Sequence, residues 1–209
     1  MTNESRELDL ANLPQSKNPI LAKAGLISIH EVDPTIGVDL QYKNPTSITK
    51  SPLYPKNFPA LLKPETAVRL KHANAFVKER GMKIVIWDAY RPPSAQMKLW
   101  DASGHNDTYV ANPGNAPSQH SCGTAVDVTI VSLNDRPVKM PTEFDAFKPE
   151  AASNFHHPDL EIRQNLYILK SAMSRAGFYP LPAEWWHHID KSYKKYPDTI
   201  TLDKIRGSY

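Results

Sequence analysis

The chain is poor in cysteine and in long apolar runs, and each shortage limits what it can be. A single cysteine, Cys122, stands among 209 residues, so an internal disulfide cannot staple the fold. No apolar run approaches the roughly 18 residues that a membrane-spanning helix requires. The first residues, Met1 to Glu7, are polar and lack the apolar core of a signal peptide. We therefore expect a chain with no signal or membrane anchor and with a cytoplasmic location.

An excess of charge of one sign is also missing. The chain has 25 Lys and Arg against 22 Asp and Glu, a formal net charge of +3. The densest basic stretch, residues 191–195, is short and is typical of a solvated face rather than of a nucleic-acid patch. We expect neither nucleic acid nor membrane as a partner.

Glycine is scarce and proline is abundant, with 8 and 19 residues respectively. This balance indicates stiff, irregular loops and favours an α+β fold over a helical bundle. A chain of this length buries about 70% of its unfolded surface, which is enough for one core without staples. We predict a single domain over residues 26–209, preceded by a polar extension over residues 1–25 that is partly mobile.

Apolar periodicity and turn residues predict the elements of this domain. The predicted strands are Leu26–His30, Gly37–Tyr42, Lys83–Asp88, Thr124–Val131 and Trp185–Ile189. The predicted helices are Pro64–Arg80, a short helix that Ser94 caps and that runs to Trp100, and Asp159–Ala176. Residues 43–58 and 102–119 carry the composition of loops, and two prolines, Pro180 and Pro182, extend a loop up to Glu184. The pattern predicts α+β with an antiparallel or mixed central sheet and helices packed on it.

Two short segments carry the chemistry of a metal site. The first runs Ser118-Gln119-His120-Ser121-Cys122-Gly123-Thr124-Ala125-Val126-Asp127, and the second runs Glu184-Trp185-Trp186-His187. A catalytic zinc site needs three protein ligands, an open position for water and a nearby base. His120, Asp127 and His187 can be the ligands, which leaves Glu184 for proton transfer.

Taken one by one, these residues have ordinary alternatives. A lone histidine beside Ser and Gly is usually a hydrogen-bonding side chain, and a lone aspartate on a strand usually pairs with an arginine. Cys122 could be a thiol ligand or nucleophile, although a small buried filler is the simpler interpretation. The adjacent pair His156 and His157 is the alternative ligand pair, and His188 is expected to pack rather than to bind metal.

Together the two segments resemble a known signature. Ser-x-His-x-x-Gly-x-Ala-x-Asp followed by Glu-x-Trp-His is similar to the motifs of the zinc D-alanyl-D-alanine dipeptidases, in the hedgehog/D,D-peptidase fold group. The resemblance covers about residues 37–190. It implies that fold, one zinc ion per chain bound by His120, Asp127 and His187, and Glu184 as general base just before the last strand.

Three further segments extend the resemblance to the substrate. Trp87-Asp88-Ala89-Tyr90-Arg91-Pro92 resembles the family segment whose arginine stabilises the tetrahedral intermediate, although an arginine there could also pair with Asp88 or stack on Tyr90. Met140–Asp145 resembles the stretch whose aspartate binds the substrate ammonium, with Pro141 where the family has glycine. The resemblance further implies that Ser118 donates to the substrate carboxylate and that Tyr42, in Asp39–Tyr42, lies near the amine end. Residues 43–47 depart from the family pattern, so the pocket there can differ.

The predicted function is zinc-dependent hydrolysis of D-alanyl-D-alanine, or of a close D,D-dipeptide, to free amino acids. Such an activity either withholds the dipeptide from cell-wall synthesis, as in antibiotic resistance, or recycles it for nutrition. The expected partner is this small-molecule substrate, with no obligate protein partner. Two alternatives remain: a peptidoglycan D,D-carboxypeptidase or L,D-endopeptidase of the same metal fold, and a non-catalytic zinc-binding domain. Asp145 argues against the first because it suits a free amine, and Glu184 with Arg91 argues against the second because a structural site needs neither.

Overall fold

The computed structural model describes residues 12–209. Its helices are α1 (Pro19–Ala24), α2 (Ile29–Val32), α3 (Pro64–Lys78), α4 (Pro93–Ala102) and α5 (Leu160–Arg175). Its strands are β1 (Ile27–Ser28), β2 (Gly37–Val38), β3 (Leu61–Leu62), β4 (Met82–Asp88), β5 (Ala125–Ser132), β6 (Phe178–Leu181) and β7 (Glu184–Asp190). Short 3₁₀ turns cover Gln41–Lys43, Pro149–Ala151, Tyr193–Lys195 and Leu202–Ile205. No helix in this part of the chain is long and apolar enough to cross a membrane.

The predicted α+β fold with a mixed central sheet is confirmed. Five strands lie in the order β2-β4-β5-β7-β6, and β1 pairs with β3 in a separate two-stranded sheet. Strand β2 is parallel to β4, whereas the other neighbours in the larger sheet are antiparallel. Helices α3 and α5 contact each other and pack against the sheet.

Strand β5 lies at the centre of the fold and is buried on both sides. Val126, Val128 and Ile130 point towards the helices and are at most 1% exposed. Asp127 and Thr129 point to the other side and are also buried. A strand that is buried on both faces usually has a nearly continuous apolar sequence. Asp127 departs from that pattern, which indicates a specific role for its carboxyl group.

The strand register brings three polar residues to one place. Asp127 lies opposite His187 on β7 and opposite Asp88 on β4. A register shift between Ile86 and Asp88 adds one residue, Trp87, to β4. Such a bulge re-aims the side chain that follows it, and here it sets Asp88 beside Asp127.

Several predicted elements are wrong in detail. The strand predicted over Leu26–His30 keeps two residues, Ile27 and Ser28, and the chain then turns into helix α2, whose first turn closes with the Asp33 amide donating to Ile29 O. The strand predicted over Gly37–Tyr42 ends at Val38, before the 3₁₀ turn at Gln41–Lys43. Ser94 does not cap α4: Pro92 occupies the cap position, and no side chain bonds there.

The loop predicted at Pro180 and Pro182 is also wrong in part. Residues Phe178–Leu181 form β6, which pairs with β7 in a hairpin. Strand β6 is the edge of the sheet, where the missing N–H of Pro180 costs no ladder hydrogen bond. Tertiary pairing therefore overrides the local preference of proline.

Part of the predicted N-terminal extension is ordered. Asn18 caps α1 by accepting from the amides of Ile20 and Leu21, and its Nδ2 donates to Ser208 O near the C-terminus. Residues 1–11 of the extension lie outside the described residues. The predicted boundary between an extension over residues 1–25 and a single domain over residues 26–209 stays a prediction.

Candidate metal centre and catalytic site

The three ligand residues predicted from the motifs meet in space. His120, Asp127 and His187 each offer one ligand atom, and these atoms all lie within 4.8 Å of one another. Asp127 and His187 come from paired strands, while His120 comes from the turn that leads into β5. That turn contains Gly123 with φ +75°, where a Cβ would lie 2.9 Å from Leu26. Glycine is therefore required for the turn that aims His120.

The three ligand atoms form a triangle of the size that zinc needs. His187 Nδ1 lies 2.9 Å from Asp127 Oδ1 and 3.2 Å from His120 Nε2, and His120 Nε2 lies 3.4 Å from Asp127 Oδ1. Tetrahedral zinc with bonds of about 2.0–2.1 Å separates its ligand atoms by about 3.3–3.4 Å. The three side chains therefore fit such an ion with shifts of a few tenths of an ångström.

A hydrogen bond fixes which nitrogen His120 presents. His120 Nδ1 lies 2.6 Å from Ala89 O, so Nδ1 carries the proton and Nε2 is left as the ligand atom. A partner of this kind on the second nitrogen is usual for histidines that bind metal. Burial lowers the pKa of His187, with the Asp127 carboxylate opposing it, so the ring is held neutral as a ligand must be. Burial alone would raise the pKa of Asp127, but His120 and His187 hold it well below its usual range.

Glu184 lies beside this triangle. It is the first residue of β7 rather than the last of a loop, which corrects its predicted place. Its Oε2 is 3.9 Å from His187 Nδ1, although on a regular strand residues three apart face opposite sides. The register shift between Pro180 and Leu181, at the start of the hairpin, accounts for the bend. Burial, and then the charges of Asp127 and Asp145, raise the pKa of Glu184 well above its usual range.

Arg91 is a buried cation fixed from several sides. Its Nε and Nη2 lie 2.8 and 2.7 Å from Asp88 Oδ2, and its Nη2 lies 3.6 Å from Asp127 Oδ2. Burial would lower the pKa of Arg91, but the neighbouring carboxylates keep it protonated. Of the two alternatives, the pairing with Asp88 is present. The aromatic contact is with Tyr42, whose ring centroid is 5.2 Å from the guanidinium, rather than with Tyr90.

The sequence reasoning missed Gln96 and named Asp88 only as an alternative partner of Arg91. Gln96 accepts from Arg91 Nη1 at 2.8 Å and donates to Ala111 O at 2.8 Å, so it ties the guanidinium to the segment that covers the site. Asp88 holds Arg91 and accepts from Tyr54 OH. The spacing of Asp88 three residues before Arg91 was visible, whereas nothing in the sequence singled out Gln96.

The three predicted substrate-binding residues line the same cavity as the ligands. Tyr42, Ser118 and Asp145 are all buried, and Tyr42 OH donates to Asp145 Oδ1 at 3.1 Å. The second oxygen, Asp145 Oδ2, is buried without a partner. Burial, and then the charge of Asp127, raise the pKa of Asp145 to about 7, with Arg91 opposing. Asp145 has φ 56° at the position after Phe144, a left-handed conformation that is uncommon outside glycine.

The cavity over the triangle has a volume of about 230 Å³. Residues 107–111 form part of its wall, and Tyr109 stacks on Phe147 with ring centroids 4.4 Å apart. Pockets for drug-sized ligands measure about 300–1,000 Å³. The cavity therefore suits a smaller molecule.

The other candidate ligands lie elsewhere. His188 points to the opposite side of β7, where its Nδ1 contacts Trp186 O. His157 accepts from the Asp159 amide in the loop before α5. The Cys122 thiol is buried and contacts Pro197 O at 3.8 Å, in keeping with a filler.

The chain is similar to known peptidases over most of its length. A family model described as D-Ala-D-Ala dipeptidase matches residues 22–203. The D-alanyl-D-alanine dipeptidase of Escherichia coli is 29% identical over 174 residues, which span 82% of this chain and 88% of that protein. The enzyme of the same name from Enterococcus faecium is 27% identical, over 65% of this chain and 75% of that protein. The enzyme from Enterococcus faecalis is 31% identical, over 64% of this chain and 74% of that protein. A solved structure of a vancomycin-resistance D,D-pentapeptidase, a VanY mutant with Zn(II), is 19% identical with a TM-score of 0.42, over 71% of this chain and 85% of that one.

Proposed function

This chain belongs to the D-Ala-D-Ala dipeptidase family and is a metallopeptidase, and on that premise we propose that it hydrolyses D-alanyl-D-alanine, or a close D,D-dipeptide, with one zinc ion. The observation that carries the proposal is the triangle of His120, Asp127 and His187 beside Glu184 and Arg91. A cytoplasmic location and a part in cell-wall metabolism or antibiotic resistance stay predictions.

The charge of the site supports a bound dication. In and beside the cavity, buried acids outnumber buried cations. Arg91 is the buried guanidinium, and the four buried carboxyl groups are those of Asp88, Asp127, Asp145 and Glu184. Buried charges are costly unless they are paired or bind a metal. His120, Asp127 and His187 would hold the ion, and zinc when bound lowers the pKa of a coordinated water from 15.7 to about 7.

Glu184 is placed to move protons. We assign its carboxylate to accept a proton from the attacking water and then to give that proton to the leaving amine. A general acid–base group of this kind contributes about 10²–10⁴ in rate. Burial of Glu184, which raises its pKa, fits a group that must both take and return a proton near neutral pH.

Arg91 stabilises the negative charge that develops on the carbonyl oxygen as the scissile bond is attacked. Its guanidinium is held by Asp88 and Gln96 before substrate arrives, so little reorganisation is needed. A fixed charge aimed at the transition state stabilises it more than the ground state.

The two free ends of a dipeptide find partners in the same cavity. Asp145 Oδ2, buried without a partner, suits the substrate ammonium. Ser118 is assigned as a donor to the substrate carboxylate, and Tyr42 holds Asp145 through its hydroxyl. The cavity volume of about 230 Å³ favours a dipeptide over a peptidoglycan strand.

The test is hydrolysis of D-Ala-D-Ala, L-Ala-L-Ala and N-acetyl-D-Ala-D-Ala by the wild type and by Glu184→Ala, with the zinc content of both proteins measured. Glu161→Ala, on the exposed face of α5, is the matched control. We expect the wild type and the control to cleave the free D,D-dipeptide alone, and Glu184→Ala to retain about one zinc but to lose activity. Cleavage of the acetylated substrate would favour a carboxypeptidase instead. Zinc without any cleavage by the wild type would favour a binding domain.

A further inference from the structure

A second cavity lies on the other face of the central sheet from the metal centre. It has a volume of about 820 Å³ and is bounded by α5, the end of α3 and residues 153–156. On β7, His187 points to the metal centre while His188, the next residue, lines this cavity. A molecule bound here is therefore separated from the metal centre by the sheet.

The lining of this cavity is cationic. Four permanent cations take part, namely Arg80, Arg163, Lys170 and Arg175, and within the described residues no carboxylate lines the cavity. The nearest pairing is between Arg80 Nη1 and Glu79 Oε2 at 3.8 Å, where the Glu79 side chain is 75% exposed. Unbalanced cations in a concave site raise the local concentration of anions.

The cations are held in position by the protein. The guanidiniums of Arg80 and Arg175 both lie on the ring of Phe76, 3.9 and 4.9 Å from its centroid. Arg163 Nη1 donates to the carbonyls of residues 157 and 158 at 2.9 and 3.0 Å, and Lys170 Nζ donates to Ser153 O at 2.7 Å. These bonds leave further N–H groups, because a guanidinium has five donors and an ammonium has three.

His188 adds an unused acceptor. Its Nδ1 lies 2.9 Å from Trp186 O and therefore carries the proton. Its Nε2 is buried without a partner. An unprotonated ring nitrogen accepts a hydrogen bond, so the ligand that completes this site brings a donor as well as negative charge.

We propose that this cavity binds a small hydroxylated phosphate ester. A phosphate dianion carries more charge than a carboxylate and can pair with more than one cation. It also forms bidentate hydrogen bonds with arginine. A hydroxyl group on the same molecule supplies the donor for His188 Nε2. The site is separate from the proposed hydrolysis and does not depend on it.

The test is isothermal titration calorimetry of the zinc-loaded enzyme with glycerol 3-phosphate at low ionic strength, because exposed charges are screened by salt. Glycerol is the uncharged probe and ethyl phosphate is the probe without a hydroxyl. We expect glycerol 3-phosphate to bind more tightly than ethyl phosphate, and glycerol not to bind. Equal affinities for the two phosphate esters would overturn the role of His188.

Two double variants locate the site. Arg80→Gln with Arg175→Gln, and separately Arg163→Gln with Lys170→Gln, should each raise the Kd at least about tenfold, since each removes charge-assisted donors. Lys23→Gln with Arg206→Gln removes two exposed charges elsewhere and should leave the Kd unchanged. Dipeptide hydrolysis shows that each variant is folded. An unchanged Kd in both cavity variants, an equal loss in the control, or no heat of binding at millimolar ligand would each overturn the proposal.

Discussion

Two clusters of buried carboxyl groups lie on opposite faces of β7 and differ in how they are paired. The first, which we term the ion-pair network, consists of Glu65, Arg69, Asp190, Lys195 and Tyr196. The second, which we term the metal-centre cluster, consists of Asp88, Arg91, His120, Asp127, Asp145, Glu184 and His187. Both clusters contain Asp, Glu and Arg side chains, and the sheet separates them.

In the ion-pair network every carboxylate oxygen has a partner within the chain. Glu65 receives hydrogen bonds from Arg69, Lys195 and Tyr196 at 3.0–3.3 Å. Asp190 accepts from Thr66 at 2.7 Å and from Ser192 at 2.8 Å, and Arg69 Nε lies 3.2 Å away. Arg69 Nε makes no hydrogen bond despite this distance. The carboxylates of the network therefore find their partners within the chain, whereas one donor of Arg69 is left over.

The metal-centre cluster, by contrast, is incomplete. Asp145 Oδ2 has no partner, and the pKa values of Asp145 and Glu184 are raised by burial and by neighbouring acids. Buried acids without partners lower the stability of the folded chain. They are typical of sites where a ligand binds them or a reaction uses them. The comparison separates a network whose carboxylates are paired within the chain from a cluster that, in the proposed function, a metal and a substrate complete.

Metal removal should have the largest effect, and it should act on one cluster alone. We expect a chelator to lower dipeptide hydrolysis by at least about 10³-fold and added zinc to restore it, because the metal supplies several kcal/mol of transition-state stabilisation. The melting temperature should fall as well, since a ligand at 1,000 times its Kd stabilises by about 4 kcal/mol. Undiminished activity in a chelated, zinc-free sample would contradict the assignment of His120, Asp127 and His187.

Asp190→Ala should give the next largest effect, on stability. Removing one partner of a buried ion pair costs about 3–5 kcal/mol. In this variant Arg69 keeps only Glu65 as a partner, and the hydroxyls of Thr66 and Ser192 lose their acceptor. Urea unfolding of the zinc-loaded protein measures the change. Asp203→Ala breaks an exposed pair with Arg206 and should change the free energy of unfolding by less than about 1 kcal/mol. Equal losses in the two variants would mean that the network is not a support of the fold.

The fold class and the meeting of the motif residues could be predicted because their signals are local. Long apolar periods predicted α3 and α5 to within a few residues, and the two motifs predicted the set His120, Asp127 and His187 that the strand register brings together. The motifs alone did not decide the roles, which came from the family resemblance and stay predictions.

Other features depend on tertiary contacts that no local pattern records. Residues Phe178–Leu181 form strand β6 despite Pro180, because they pair with β7. Gln96 gains its place only because Arg91 and the carbonyl of Ala111 lie on either side of it. The bend that sets Glu184 beside His187 comes from a register shift at the hairpin, which depends on the pairing.

The variant Asp145→Asn tests whether the unpaired carboxyl group lowers the free energy of unfolding. The folded protein holds a proton on Asp145 up to a pKa of about 7, whereas the unfolded chain releases it near the ordinary value of 3.8. Between these values the folded state binds more protons, so the stability of the metal-free protein falls as pH rises, by about 1 kcal/mol per pH unit.

We expect Asp145→Asn to make that slope shallower and to raise the KM for D-Ala-D-Ala about tenfold, since a charge-assisted bond to the substrate ammonium is lost. Urea unfolding across the pH window and steady-state kinetics measure the two effects. A steeper slope, or an unchanged KM, would count against Asp145 as the unpaired acceptor.

Glu65→Gln should give the smallest effect and the opposite dependence on pH. Burial by itself would raise the pKa of Glu65, but hydrogen bonds from Arg69 and Lys195 outweigh it and lower the pKa below its ordinary 4.5. The stabilisation is therefore present above that value and is lost as pH falls through the folded pKa. Hydrogen bonds to a charged group contribute about 1.5–3 kcal/mol, and the amide oxygen of glutamine keeps part of them, so the variant should be less stable by about 1–2 kcal/mol at neutral pH. The difference should shrink in acid. The metal-free protein is the right sample, because protonation of its ligands releases a metal at low pH. Glu161→Gln, in an exposed pair with Lys139, should show no such trend. If the two clusters gave slopes of the same sign, pairing within the chain would not be what distinguishes them.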